Sequence, residues 1–138
     1  TDEFPWHQDN GYTFIEPQAY LTCWVALTDT DETNGCPCVV PGLHKRGTLH
    51  HENTELGYQI PLDSSESITL PLKAGSIAIF SSLTPHRTGP NLSEGIRKSY
   101  ILQYAPEGSK RLVSDSISEE VNDETRQFLI LRDGKRVN

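Results

Sequence analysis

Methionine is absent from all 138 residues, cysteine occurs only three times, and basic side chains are outnumbered 12 to 19 by acidic ones. Each scarcity excludes something. The formal charge of −7 disfavours non-specific attraction to nucleic acid or anionic lipid over most of the surface, so no nucleic-acid or membrane partner is expected. The longest apolar runs, such as Ile77 to Phe80, fall far short of the roughly 20 residues that a membrane-spanning helix requires. No charged-then-apolar leader opens the chain. These features predict a soluble, cytoplasmic protein. Cys23, Cys36 and Cys38 are odd in number and only Pro37 separates the last two, so reduced thiols are expected and a secreted disulfide framework is not. A zinc finger would need more cysteines or a matched histidine pair. Because the chain opens at Thr1 and lacks an initiator methionine, it reads as part of a longer product.

What is present is a regular alternation of turns and short β-rich runs. Turn signals recur at Asp9-Asn10-Gly11, Asn34-Gly35, Pro41-Gly42, Ala74-Gly75, Gly89-Pro90 and Glu94-Gly95, a spacing that suits an all-β sandwich or barrel. Between them lie candidate strands at Ala19 to Leu27, Cys38 to Val40, Tyr58 to Pro61, Ile68 to Leu72, Ser76 to Phe80 and Lys98 to Tyr104. In the first, Tyr20, Thr22, Trp24 and Ala26 alternate with Leu21, Cys23, Val25 and Leu27. One face is therefore apolar and the other carries aromatic and polar groups, as on a strand lining a pocket. Near the end, Ser118 followed by Glu119 and Glu120, with a continuation from Thr125 to Leu131, predicts one short C-terminal helix. The expected architecture is a single domain over residues 1–138, built as a double-sheet jelly roll whose strands point side chains into a central cavity. An open sheet edge could favour pairing of two copies into a homodimer.

In Trp6-His7-Gln8-Asp9 an imidazole and a carboxylate stand two residues apart, and in an extended strand such a pair projects from one face. A second imidazole arrives much later, His86 in Leu83-Thr84-Pro85-His86. Two histidines and one carboxylate that leave coordination positions open form the facial set associated with Fe(II) oxygenases. Beyond His86 the chain reaches Arg97 and Ser99, again two apart on one strand. A planar guanidinium fork with a nearby hydroxyl matches the far carboxylate of a dicarboxylate.

The order Trp6-His7-Gln8-Asp9, Trp24-Val25-Ala26-Leu27-Thr28-Asp29, Asn34-Gly35-Cys36, Val40-Pro41-Gly42-Leu43-His44-Lys45, Gly75-Ser76-Ile77-Ala78-Ile79-Phe80, His86, Gly89-Pro90-Asn91 and Arg97-Lys98-Ser99 resembles the phytanoyl-CoA dioxygenase family over about three quarters of the chain. The resemblance implies a double-stranded β-helix (jelly-roll) dioxygenase that uses Fe(II), 2-oxoglutarate and dioxygen to hydroxylate a small organic substrate, with release of succinate and carbon dioxide. It implies that His7, Asp9 and His86 hold the iron. Arg97, with Ser99, would hold the C5 carboxylate of 2-oxoglutarate, Asn91 would stand near that cosubstrate, and Trp24 would wall the site. Two positions depart from the family pattern, Leu43 before His44 and Ser76 after Gly75, and neither is a ligand. Family members carry a long stretch before the His-x-Asp strand, whereas six residues precede His7 here, so the chain is expected to be an N-terminally incomplete member.

Rival readings are a non-catalytic jelly-roll module that keeps the pocket without turnover, a halogenase, and a cupin-type metal enzyme. Asp9 speaks against the halogenase, which replaces that carboxylate with a small residue. Arg97 and Ser99 would have no purpose in the cupin. His44, His50 and His51 lie in a polar stretch from Gly42 to Asn53 and read as loop histidines. Lys45 and Arg46 form a local basic pair, and Tyr12, Phe14 and Tyr20 either shape a substrate pocket or pack in the core.

Overall fold

The computed structural model describes residues 3–18, 20–114 and 116–137; Ala19, the expected start of the long strand, lies outside them. In chain order the strands are β1 (Phe4–His7), β2 (Ile15–Glu16), β3 (Leu21–Ala26), β4 (Pro37–Val39), β5 (Glu52–Thr54), β6 (Gly57–Gln59), β7 (Ile68–Thr69), β8 (Ile77–Ser81), β9 (His86–Thr88), β10 (Ser99–Tyr104), β11 (Lys110–Ser114), β12 (Ile117–Glu120), β13 (Leu131–Arg132) and β14 (Lys135–Arg136). The helical turn α1 (Asp9–Tyr12) follows β1, and 3-10 turns occupy Leu43–Arg46 and Ser64–Glu66. Every run expected to be a strand overlaps one. No helix among the described residues is long and apolar enough to cross a membrane.

Two antiparallel sheets, β1-β9-β4-β7 and β10-β3-β8, form the walls of a double-stranded β-helix, the jelly roll. Successive strands from β7 to β10 alternate between the two walls, so side chains from both converge on the space between them. On β3 the aromatic and polar set is the inward one: Tyr20, Thr22, Trp24 and Ala26 are buried, while Leu21 is 46% and Leu27 54% exposed. Its neighbours keep that register, with Thr22 opposite Phe80 and Trp24 opposite Ala78 and Ile101. The other face of the first sheet carries a separate apolar cluster of Trp6, Cys38 and Val40, covered by Leu43 and Leu62. Arg87 lays its guanidinium carbon 5.3 Å from the Trp6 ring centroid, a cation–π contact that shields the cluster's rim. All three cysteines are free thiols.

The C-terminal helix expected from Ser118 to Leu131 is not formed. Ile117–Glu120 is instead β12, antiparallel to β11 and extending the sheet that β11 makes with β2. The cross-strand partners explain the preference: Lys110 faces Glu120 and Arg111 faces Glu119, and the Arg111 guanidinium donates to the Glu119 carboxylate at 3.1 Å. Opposite charges across a ladder favour the strand, and no core is available to an amphipathic helix here, since Phe128 is 76% exposed. The segment closes with a single turn capped by Asp123 and a β13–β14 hairpin.

Candidate metal centre

The first two site residues are set by the end of β1. His7 is its last residue, Gln8 stays extended (φ −112°, ψ 140°), and Asp9 is the first residue of α1. The pair is thus not on one continuous strand as expected; a strand-to-helix corner brings Asp9 back toward His7. The third arrives by sheet register, because His86 opens β9 and is the direct cross-strand partner of His7. The two imidazole rings lie 4.1 Å apart, centroid to centroid.

The hydrogen bonds fix what each ring can offer. His7 Nδ1 lies 2.8 Å from the Pro5 carbonyl oxygen and His86 Nδ1 lies 2.9 Å from that of Thr84. A carbonyl only accepts, so each Nδ1 carries a proton, and on the neutral ring each Nε2 keeps its lone pair. Both Nε2 atoms then stand 3.6 Å from the same oxygen, Asp9 Oδ1. That separation is beyond a hydrogen bond, and three lone-pair donors facing one another in a buried space repel unless a cation lies between them. The three donors all fall within 4.8 Å of one another. Orienting Nδ1–H bonds of this kind accompany histidine metal ligands.

Protonation of His86 does not supply that cation. Burial, reinforced by His7, pushes His86 down to about 4, against the opposing pull of Asp9 and of its bond to Thr84. Burial would raise the Asp9 carboxyl, yet the neighbouring His7 and His86 and the Thr22 hydroxyl together outweigh it and hold Asp9 below the ordinary carboxylate range. At neutral pH the centre therefore presents an imidazole at His86 and a carboxylate at Asp9 without protons. Tyr20, buried beside Asp9, is pushed well above the normal phenol range by burial and by that negative charge; it stays a neutral phenol.

Several residues that the motifs did not single out hold this geometry. Thr22, facing inward from β3, donates its hydroxyl to Asp9 Oδ2, leaving Oδ1 for the histidine side. Gln8 is 0% exposed; its amide donates to the carbonyls of Gly47 at 3.0 Å and Leu83 at 2.5 Å, and its oxygen accepts from Leu49 N at 2.7 Å. It thereby ties the His7–Asp9 corner to the segment leading into His86. Asn10, also buried, accepts from Ile15 N and donates to Thr48 Oγ1, both at 3.0 Å. His51 accepts from Gln8 N at 3.1 Å and bonds Leu49 O through Nδ1. Its ring fills the space beside Gly11, where an added Cβ would come within 2.3 Å. Gln8 and Asn10 were visible only as polar letters next to ligands, but Thr22 shares its strand face with Trp24 and could have been read from the alternation.

The remaining expected residues separate into two groups. Ser99 pairs with the buried Ala26, so it shares the inward face of the second sheet with Trp24 and Thr22. Arg97, two residues earlier, is half-buried, and its Nε is sequestered from solvent with no hydrogen-bond partner. A sequestered guanidinium donor of this kind is able to meet a carboxylate; Arg87 Nε is sequestered in the same way. Asn91, by contrast, is engaged within its own loop: its amide donates to Gly95 O at 2.8 Å and its oxygen accepts from Ser93 N and Oγ. Of the loop histidines, His44 lies in the 3-10 turn, His50 is exposed, and neither they nor His51 joins the triad. Lys45 and Arg46 are exposed on that same turn. A cleft of about 280 Å³ lined by Arg87, Cys36, Cys38 and Glu32 does not include the triad.

A family model described as phytanoyl-CoA dioxygenase (PhyH) matches residues 1–99. A probable phytanoyl-CoA dioxygenase of Caenorhabditis elegans is 30% identical over 137 residues, covering 88% of this chain and 44% of that protein. A methylphosphonate hydroxylase of Gimesia maris is 32% identical over 99 residues, covering 71% of this chain and 37% of that one. Among solved structures, EvdO2 of Micromonospora carbonacea var. aurantiaca in complex with 2-oxoglutarate superposes with a TM-score of 0.69 at 26% identity, over 88% of this chain and 49% of that one. The chain spans less than half the length of each of these three proteins.

Proposed function

The chain belongs to the phytanoyl-CoA dioxygenase family, and from that membership and the triad we propose that it is the catalytic core of an Fe(II)- and 2-oxoglutarate-dependent oxygenase. It hydroxylates a small organic substrate, and 2-oxoglutarate and dioxygen become succinate and carbon dioxide as one oxygen atom enters the substrate. The observation that carries this reading is the pair of Nε2 lone pairs aimed at a single carboxylate oxygen, Asp9 Oδ1, each at 3.6 Å.

The donor set suits the ion. Two neutral imidazoles and a carboxylate are ligands for non-haem Fe(II) and leave one face open. His7, Asp9 and His86 would hold it. Arg97 would bind the distal carboxylate of 2-oxoglutarate through its fork, assisted by the Ser99 hydroxyl, and Trp24 would wall the cosubstrate side. The likeness to EvdO2, whose complex contains 2-oxoglutarate, supports that assignment. Asn91 would act at a distance, by holding the 91–95 loop that leads into Arg97.

Bound iron supplies the coupling of oxidative decarboxylation to oxidation of a C–H bond. The chain's own residues do the rest. Thr22 fixes the Asp9 carboxylate so that Oδ1 is presented; the Pro5 and Thr84 carbonyls lock both histidine tautomers; Gln8 keeps the His7–Asp9 corner in register with His86. Buried Trp24 and Tyr20 restrict water near the site. The test is succinate formation by the anaerobically iron-loaded protein when air, 2-oxoglutarate and candidate substrates are added. Succinate at a rate no greater than that of the Asp9→Ala variant would reject the reading and leave a non-catalytic binding module.

A further inference from the structure

The second sheet supplies no ligand, yet one cross-strand pair on it touches two of them. Thr22 on β3 and Phe80 on β8 are direct partners. Thr22 donates to Asp9, and the Phe80 ring meets the His86 imidazole at 4.6 Å between centroids, tilted by 52°. Phe80 is half-buried on the inner face, while its neighbour Ile79 points outward and is 63% exposed. The chain from Phe80 to His86 crosses between the walls through Ser82, Thr84 and Pro85, all buried. Ser82 N donates to Tyr20 O at 3.0 Å, Thr84 N to Ser81 O at 2.8 Å and Val40 N to Pro85 O at 3.0 Å, so ring and ligand are held at a fixed separation.

The His86 imidazole needs such a contact. Its bond from Nδ1 to Thr84 O sets the tautomer and anchors one ring atom, but the last torsion of a histidine is broad and lets the ring turn. The Nε2 lone pair lies in the ring plane, so a ring rocking on one anchor swings that lone pair away from the metal position. A neighbour packed on the ring limits the motion. Among the described residues His7 has three aromatic neighbours, Phe4, Tyr12 and His86, whereas His86 has two, His7 at 4.1 Å and Phe80. Since His7 is itself a ligand, Phe80 is the one aromatic ring outside the triad that steadies His86.

Resting on the triad as the iron site of the oxygenase proposed above, we infer that Phe80 is a positioning residue: its ring sets the plane of the His86 imidazole and thereby the direction of the Nε2 lone pair. It acts through His86 alone. An aliphatic side chain of similar volume fills the space without presenting a flat face, so the shape of the ring, more than its bulk, carries the effect.

The test is titration of Co(II) into the full chain and into Phe80→Leu, Phe80→Met and Phe80→Tyr, read by proton NMR in water. Co(II) stands beside Fe(II) in the order of divalent affinities and takes the same ligands. Both Nδ1–H groups are buried and bonded, so the loaded parent should show two paramagnetically shifted imidazole N–H signals. In the leucine and methionine variants one signal should move or broaden while the other holds, and Co(II) affinity should fall about 2- to 10-fold, the size of one aromatic pair. Phe80→Tyr, which keeps the ring, should restore both readouts. A role in packing alone would instead lower the melting midpoint of the metal-free protein and leave both N–H signals in place. Parental affinity with unmoved signals in the leucine and methionine variants, or a tyrosine variant that loses as much as they do, would overturn the inference. Failure of both aliphatic variants to fold would overturn it too, by making Phe80 a core residue only. Calorimetric titration of 2-oxoglutarate into the Co(II)-loaded parent separates the two readings. If Co(II) binds and 2-oxoglutarate does not, the oxygenase reading falls and the NMR still decides the role of Phe80; if Co(II) does not bind, both fall.

Discussion

Thr22 donates its hydroxyl to Asp9 Oδ2 across the interior of the jelly roll. This one bond decides which carboxylate oxygen is free, and it joins the second sheet to a centre otherwise built wholly from the first sheet and its adjoining turn. Replacing Thr22 by Val keeps the shape and removes the donor. Affinity for Fe(II) should fall about 10-fold or more, the usual effect of deleting an outer partner of a metal ligand, and Thr22→Ser should restore most of it. Competition titration against a chromogenic chelator measures both.

Gln8 makes its prediction through stability. Exchange for Leu leaves the Gly47 and Leu83 carbonyls and the Leu49 N–H without their partners. At about 1–3 kcal/mol for each buried group left unsatisfied, the variant should lose several kcal/mol in urea unfolding. Gln8→Glu, which turns a carboxylate oxygen toward the Gly47 and Leu83 carbonyls in a buried site, should lose at least as much at neutral pH.

Arg97→Gln tests the cosubstrate position. Losing one charge-assisted contact, worth about 1.5–3 kcal/mol, should weaken 2-oxoglutarate binding by about 10- to 100-fold and leave Fe(II) binding intact. Calorimetric titration of 2-oxoglutarate into the iron-loaded protein under argon gives both numbers.

The metal-free protein should weaken in mild acid. His86 in the folded chain sits at about 4, because burial and then His7 oppose its charge, and burial lowers His51 in the same direction. Unfolded, both rings take up a proton near 6.5. As pH falls below about 6.5 the unfolded chain binds protons that the folded chain refuses, so stability falls with pH. Fully developed by pH near 4, the His86 contribution alone is on the order of 3 kcal/mol. Melting curves with chelator present should show the midpoint dropping from pH 7 to pH 4.5, with a shallower slope in His86→Gln.

The strands and the three site letters could be read from the sequence for a physical reason. Period-two alternation on Tyr20 to Leu27 and the apolar run at Ile77 to Phe80 are local signals of pleated, part-buried backbone, and β3 and β8 form there. Local signals failed where a long-range pairing was stronger. Ser118-Glu119-Glu120 has the letters of a helix start, but Lys110 and Arg111 on a neighbouring strand supply opposite charges in register. The conformation of Asp9 was hidden for a related reason. The His-x-Asp spacing suits a strand, while the backbone turns into α1 at Asp9, where buried Asn10 bonds to Ile15 five residues on and to Thr48 38 residues on. Gln8 and His51 have roles that depend on partners 43 and 75 residues away, so no window of sequence contains them; for Thr22 the alternation gives the face but not the partner, Asp9.

The most direct measurement is calorimetric titration of Fe(II) under argon into the parent chain and into Asp9→Ala and His86→Ala. The parent should take up one ion per chain, and each variant should bind at least about 100-fold more weakly, beyond what loss of an outer partner causes. If both variants bind the ion as the parent does, the three donors do not share a metal and the oxygenase reading is wrong.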